Sequence, residues 1–442
     1  MNFSRRDFIK TAGVATLGSM MPLGNNVMAA ESAIWSSNSN TLKVGLIGCG
    51  GRGSGAAEQA LNADSNVVLA AMADAFKDQL DNSYKRLKDK YPQKVQVSEN
   101  MKFVGLDAYQ KLIDSDIDVV ILATPPGFRP THLEYAVNAG KHIFCEKPFA
   151  VDGPGLRKVI MVAQRAKEKS ISLMSGFCWR YHLPKRETFK RLLNGQIGNI
   201  LTAEATYNTG ELWSKERQSG WTDMEYKLRN WLYYNWLSGD HIIEQAIHSL
   251  DMLQWGMGDS LPARVTASGG RLKRTDKKYG NVYDHFSAIY EYPNGAKAYF
   301  CCRQQNGTSP SYGVEFVGNE GKCIIDCRTG LHEITGANPW RYDDTTKFTD
   351  ADAYKKEKVK DMYQEEHDEL FAAIRNNTPV NDGEWMTRSN LVALAGRMSA
   401  YSGQTISLEQ ALCSTETFFP EPFTFNTDYD KPVAIPGITT FK

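Results

Sequence analysis

Val44-Gly-Leu-Ile-Gly48-Cys49-Gly50-Gly51-Arg52-Gly53 carries an apolar strand straight into a G-x-G-x-x-G loop, and a helix-like run, Ser54–Leu61, follows. In such a loop Gly48 permits the tight turn, Gly50 lets the backbone approach a pyrophosphate, and Gly53 lets the helix pack closely on the strand. The free N–H groups and partial positive charge at the helix start suit phosphate oxygens. A second apolar run, Val67–Ala73, ends in Asp74, the position at which a carboxylate holds the ribose hydroxyls of a dinucleotide. No basic residue follows Asp74 before Lys77, which favours NAD over NADP. A glycine turn without nucleotide is the other reading of a lone motif; the order strand, loop, helix, strand, Asp argues against it.

Working outward, helix and strand patterns alternate. Helical segments are expected at Lys77–Tyr91, Asp107–Asp114, His132–Ala139 and Leu156–Lys169. Between them, Asp118–Thr124, Lys141–Cys145 and Ile171–Met174 are apolar runs of the kind a parallel strand buried on both faces requires. This order predicts a doubly wound parallel sheet over residues 41–175, with its ligand crevice at the strand C-termini. Thr124, Pro125, His132, Glu146 and Lys147 therefore join Asp74 and the loop residues Gly48, Cys49, Gly50, Gly51, Arg52 and Gly53 as candidate cofactor contacts. From residue 176 to 405 the pattern changes. Helical Pro184–Asn194 and strand-like Ile200–Asn208 precede hairpins turning at Pro293-Asn294-Gly295 and Gly318–Gly321, then helices at Asp361–Arg375 and Arg388–Gly403. A second, α+β domain with a large, open, mostly antiparallel sheet is expected, with residues 406–442 as a tail packing back on the body. Such a sheet suggests a homo-oligomer, a dimer or tetramer.

Composition narrows the classes. The chain has 442 residues, enough for two domains, and zero net charge, which leaves no basic surface for nucleic acid. Its 8 cysteines are too few for a disulfide framework at this length, and Cys323-x-x-x-Cys327 without histidines is a poor zinc signature, so no metal site is expected. Residues 1–30 stand apart. Ser4-Arg5-Arg6-Asp7-Phe8-Ile9-Lys10 matches the twin-arginine export motif, and a short Gly-containing apolar stretch and small residues around Ala29-Ala30 follow. That stretch is too short for a stable membrane span, which predicts an exported, periplasmic protein.

The fifth strand ends in Cys145-Glu146-Lys147-Pro148. With the glycine loop, this tripeptide resembles the Gfo/Idh/MocA oxidoreductases, whose E-K-P lysine meets both substrate and nicotinamide. Gly176-Phe-Cys-Trp-Arg180-Tyr181-His-Leu-Pro184 is similar to the family's segment after strand six. Ser238–Asp251 is similar to its second signature, G-G-G-x-x-x-D-x-G-x-H-x-x-D, with His248 and Asp251 in register and Glu244 in place of the usual aspartate. The resemblance implies a Rossmann domain, NAD, and a sugar, polyol or glycoside substrate. It assigns catalysis to Lys147 and His248, with Glu244 orienting the imidazole from one helix face at i, i+4. Arg180, Tyr181 and Trp231 are expected beside His248 along the substrate crevice. The aromatic stretch from Trp213 to Trp236 reads equally as a stacking platform for sugar faces or as core.

Removing hydride from a carbinol carbon requires a base for the hydroxyl proton and a rigid cradle for the carbon. Export adds a condition, because no soluble nicotinamide pool is expected outside the cytoplasm. A cofactor loaded before export and then retained must return its hydride to a second substrate or to the first. Two reactions meet that condition: a ping-pong sugar oxidoreductase, and a redox-neutral glycosidase resembling the NAD-dependent family 109 enzymes. A non-catalytic sugar-binding protein is the reading from a different class.

Overall fold

The structure, a computed structural model, describes residues 40–342, 359–420 and 423–442. The expected export signal lies outside the described residues. Six strands form the first sheet: β1 (Leu42–Ile47), β2 (Val67–Asp74), β3 (Lys102–Val104), β4 (Val119–Leu122), β5 (His142–Cys145) and β6 (Leu173–Ser175). Their order is β3-β2-β1-β4-β5-β6 and the pairs are parallel. The strand order reverses between β1 and β4, which opens the crevice at their C-termini. Helices Gly51–Ala63, Arg129–Asn138 and Gly153–Glu168 cover the sheet. β4 is buried along its whole length, as its continuous apolar run requires.

The second sheet has nine strands: β7 (Ile200–Thr209), β8 (Arg264–Gly270), β9 (His285–Glu291), β10 (Lys297–Gln304), β11 (Ser311–Gly318), β12 (Gly321–Asp326), β13 (Leu331–Gly336), β14 (Trp340–Arg341) and β15 (Ile406–Ser407). They run in the order β14-β13-β12-β11-β7-β10-β9-β8-β15, and β7 pairs with β10 in parallel while the remaining pairs are antiparallel. Helices Ile247–Gly256 and Gly383–Ser402 pack on one face. The other face leaves Leu201, Ile289 and Tyr299 exposed.

Two elements fasten the halves together. Helix Met362–Arg375 returns to pack on Gly51–Ala63, the helix that follows the glycine loop. The C-terminal segment sets Phe419 and Phe423 against Phe128 of the first domain and Trp236 of the second. Trp236 and Tyr233 are fully buried and belong to the core. Trp213 and Trp231, in contact at 6.4 Å, face the crevice instead. The aromatic stretch thus divides between the two roles. It also contains a helix, Asp223–Arg229, which Thr222 caps by accepting the Glu225 N–H.

Candidate active site

The crevice is a cleft of about 510 Å³ whose floor is the glycine loop. Gly48 holds φ at +94°, and a Cβ there would lie 2.7 Å from the Ala123 carbonyl carbon. A Cβ on Gly53 would lie 1.9 Å from the Gly48 carbonyl oxygen, so helix and strand meet at a distance only glycine allows. A Cβ on Gly50 would meet nothing within 4 Å, leaving open space beside the helix N-terminus. That open floor fits a pyrophosphate.

Asp74, at the end of β2, accepts the Cys49 N–H at 2.7 Å through one oxygen and the Phe76 N–H at 2.9 Å through the other. Burial raises its pKa, and the two N–H bonds act against that rise. Each carboxylate oxygen keeps a lone pair, so Asp74 still suits two ribose hydroxyls. Phe76, Leu106 and Tyr109 supply the apolar wall beside it. Thr124 and Pro125, just after β4, and His132, from helix Arg129–Asn138, line the cleft. His132 lies between the rings of Tyr109, at 4.1 Å, and Phe128, at 5.7 Å. Burial and the nearby Arg129 charge push its pKa down to about 3, so the imidazole is neutral.

The Glu146-Lys147-Pro148 turn is anchored by a residue the sequence reading missed. Buried Arg129 donates to the carbonyls of Glu146, Pro148 and Thr124, the second at 2.7 Å, and so ties the ends of β4 and β5 together. Glu146 forms a 3.0 Å ion pair with Arg52, which joins the turn to the loop helix. Lys147 donates to the Glu244 backbone carbonyl, and its ammonium lies 3.5 Å from Glu244 Oε1.

Glu244 therefore serves Lys147, which corrects the expected pairing with His248. The two residues do not share one helix. Glu244 ends the turn His241–Glu244, and His248 falls in the next helix, Ile247–Gly256. Gln245 lies at the break, where its side chain accepts from Gln304 at the end of β10. Among the described residues no hydrogen bond or ion pair joins Glu244 to His248. The His248 ring lies against Trp179 at 5.1 Å and edge-on to Phe177 at 6.0 Å, with Nδ1 buried and unpartnered. Burial, then the charges of Lys147 and Lys185, hold its pKa well below the ordinary value.

Arg180 and Tyr181, expected along the crevice, are committed elsewhere. Arg180 is buried, donates to both oxygens of Asp251 at 3.0 and 3.1 Å, and pairs with Asp259 at 2.7 Å. Its guanidinium lies 4.2 Å from the Trp385 ring centroid and 5.2 Å from that of Trp255. Burial opposes its charge, and the two carboxylates outweigh burial and raise its pKa. Tyr181 is also buried, and its hydroxyl donates to Asp382 at 2.7 Å. Asp251, in register with the second signature, is thus the partner of Arg180. In contrast, Trp231 lines the cleft, beside Trp213, Lys215 and Arg229 from the second domain. Arg229 reaches across to Asp78, its Nη2 2.9 Å from the carboxylate, and lies over the Phe76 ring at 3.9 Å. Lys215 and Arg229 carry no local sequence signal, because their place depends on how the domains meet.

Comparison with known proteins agrees with this architecture. Residues 42–177 match the oxidoreductase family with NAD-binding Rossmann fold, and residues 186–324 match the GFO/IDH/MocA C-terminal domain. The chain is 26% identical to 2,7-anhydro-N-acetylneuraminate hydratase of Escherichia coli K12 over 46% of its own length and 50% of that protein's. It is 28% identical to inositol 2-dehydrogenase of Rhizobium meliloti over 64% of its length and 74% of that protein's. The chain therefore spans about half the length of the first of these relatives and nearly three quarters of the second. Among solved structures, aldose-aldose oxidoreductase from Caulobacter crescentus in complex with glycerol superposes with a TM-score of 0.64 at 20% identity, covering 83% of this chain and 100% of that one. The glycine-loop geometry, the Asp74 acceptor and the two matched domains place this chain in the Gfo/Idh/MocA family of oxidoreductases, with an NAD-binding Rossmann domain at its N-terminal end.

Proposed function

We propose that the chain is an NAD-dependent oxidoreductase acting on a hydroxyl group of a sugar, polyol or glycoside. The observation that carries this reading is the position of Lys147. It is anchored by Arg129 and Glu244, near His248, at the end of the strand beside a cleft that fits NAD. Gly48–Gly53 would hold the pyrophosphate, Asp74 the ribose, and Thr124, Pro125 and His132 the inner wall. When bound, NAD supplies the hydride acceptor.

The remaining work belongs to the side chains. Lys147, in its amine form, takes the hydroxyl proton of the substrate. His248, kept neutral, bonds the same hydroxyl and fixes its direction. Glu244 holds the ammonium that Lys147 becomes, through its carbonyl and its carboxylate. Trp213 and Trp231 offer faces to the C–H surface of a sugar.

A redox-neutral reaction is the second reading, in which transient oxidation of a glycoside labilises the bond to its aglycone and re-reduction follows. The similarity to a hydratase acting on an anhydro sugar supports it, because that protein's name denotes no net oxidation. Both readings fit export with a retained cofactor, for which the S-R-R-x-F-I-K sequence at residues 4–10 is the support. The exposed face of the nine-stranded sheet supports self-association.

One experiment tests these readings together. The purified protein is assayed for bound nicotinamide, then mixed with free sugars and with glycosides. Accumulation of reduced cofactor with a keto-sugar is expected. Free aglycone with unchanged cofactor would establish the redox-neutral reading in its place. Absence of cofactor from protein refolded or purified with NAD would overturn both and leave a sugar-binding protein.

A further inference from the structure

Helix Leu183–Leu193 starts two residues after Tyr181, and its first turn carries Lys185, which is only 4% exposed. Among the described residues no carboxylate pairs with the Lys185 ammonium. Its neighbours are neutral: His182 Nδ1 at 3.4 Å, the Trp179 ring with its centroid at 5.1 Å, and the Cys327 thiol. Trp179 also stacks on Tyr207 at 6.1 Å and contacts His248 at 5.1 Å. His332 faces the same ammonium. Its Nδ1 is 2.8 Å from the Gly330 carbonyl, and its Nε2 is buried without a partner.

His248 therefore lies in the field of two ammonium groups, those of Lys147 and Lys185. Lys147 has the Glu244 carboxylate. Among the described residues Lys185 has no such counterpart, so its charge is left uncompensated whether or not Lys147 carries a proton. A buried ammonium is costly unless an anion and further hydrogen bonds compensate it. Among the described residues Lys185 has neutral acceptors around it but no anion.

We propose that the missing anion comes with the substrate: Lys185 receives the carboxylate of an acidic sugar, a uronic acid or its glycoside. The reacting hydroxyl of that sugar is presented to Lys147 and His248. One uncompensated positive charge matches a carboxylate monoanion, whereas a phosphate dianion calls for a second cation or an arginine fork. The choice of reacting hydroxyl rests on the oxidoreductase reading; the binding of the carboxylate does not.

The test compares glucuronate with glucose, and methyl glucuronide with methyl glucoside, on the NAD-loaded protein. Binding is read by calorimetry and cofactor reduction is followed in parallel. The acids are expected to bind at least about tenfold more tightly than their neutral partners, as a charge-assisted contact allows. In Lys185→Met, shown to be folded by its thermal transition, the preference should fall to about threefold or less. Equal affinity for acid and neutral sugar in the wild type overturns the proposal, and this comparison needs no variant. So does a folded Lys185→Met protein that keeps the preference. Glucose 6-phosphate binding more tightly than glucuronate overturns the monoanion assignment. Acid-selective binding with no cofactor reduction by any sugar would defeat the oxidoreductase reading and leave the carboxylate subsite standing.

Discussion

Lys147 donates to the backbone carbonyl of Glu244 and lies 3.5 Å from its carboxylate, so one residue holds the lysine in two ways. The two contacts make separable predictions. Lys147→Ala removes the proton acceptor and should lower sugar-dependent cofactor reduction by about 10²–10⁴-fold, the usual worth of a positioned acid or base. Glu244→Gln keeps the carbonyl contact and loses only the charge, so its loss should be smaller. Stopped-flow measurement of cofactor reduction checks both. A Glu244→Gln rate equal to that of the wild type would remove the carboxylate from the mechanism.

Gly53 tests the cleft floor. A Cβ there would lie 1.9 Å from the Gly48 carbonyl oxygen, which belongs to the backbone and cannot swing aside. Gly53→Ala should therefore displace the loop helix and abolish NAD binding, measured by calorimetry. Gly50→Ala faces open space and should leave the fold intact, as read by its thermal transition, while weakening cofactor affinity.

Much of this arrangement is legible in the sequence because it depends on local rules. β1, β2 and β4 are short apolar runs closed by turn residues, as strands buried on both faces must be. The glycine spacing and Asp74 describe one βαβ unit. What escapes is non-local. Arg180 looks available in its own segment, but its partners Asp251, Asp259 and Trp385 come from distant parts of the chain. The break after Glu244 carries no Gly or Pro; it arises where Gln245 is held by Gln304 of another strand. Helix Asp223–Arg229 did have a readable sign, the Thr222-x-x-Glu225 cap, hidden among aromatics that carry no helical period.

The Arg180 cluster should matter for stability more than for substrate affinity. Replacing Arg180 by Met leaves buried Asp251 with the Ser389 hydroxyl, at 2.7 Å, as its one side-chain partner among the described residues. Breaking a buried pair from one side costs about 3–5 kcal/mol. Denaturant unfolding should show a loss of that size, while the KM of the residual folded enzyme stays near its original value. A large rise in KM with unchanged stability would return Arg180 to the crevice.

Buried histidines set the acid limit of the fold. Burial pushes His132, His332 and His367 down to about 3 from an ordinary value near 6.5. The unfolded chain protonates these residues below pH 6.5 whereas the folded chain does not, so the stability they contribute is complete above that pH. It is lost as pH falls towards about 3, at about 1.4 kcal/mol per pH unit for each histidine fully in the window. Thermal transitions recorded from neutral pH downwards should fall with increasing steepness below pH 6.5. Replacing solvent-shielded His367 by Gln should flatten that slope by one proton, because Gln can still donate to the Tyr363 carbonyl that lies 2.9 Å from Nδ1. An unchanged slope in that variant would mean that His367 takes up its proton in the folded state as readily as in the unfolded one.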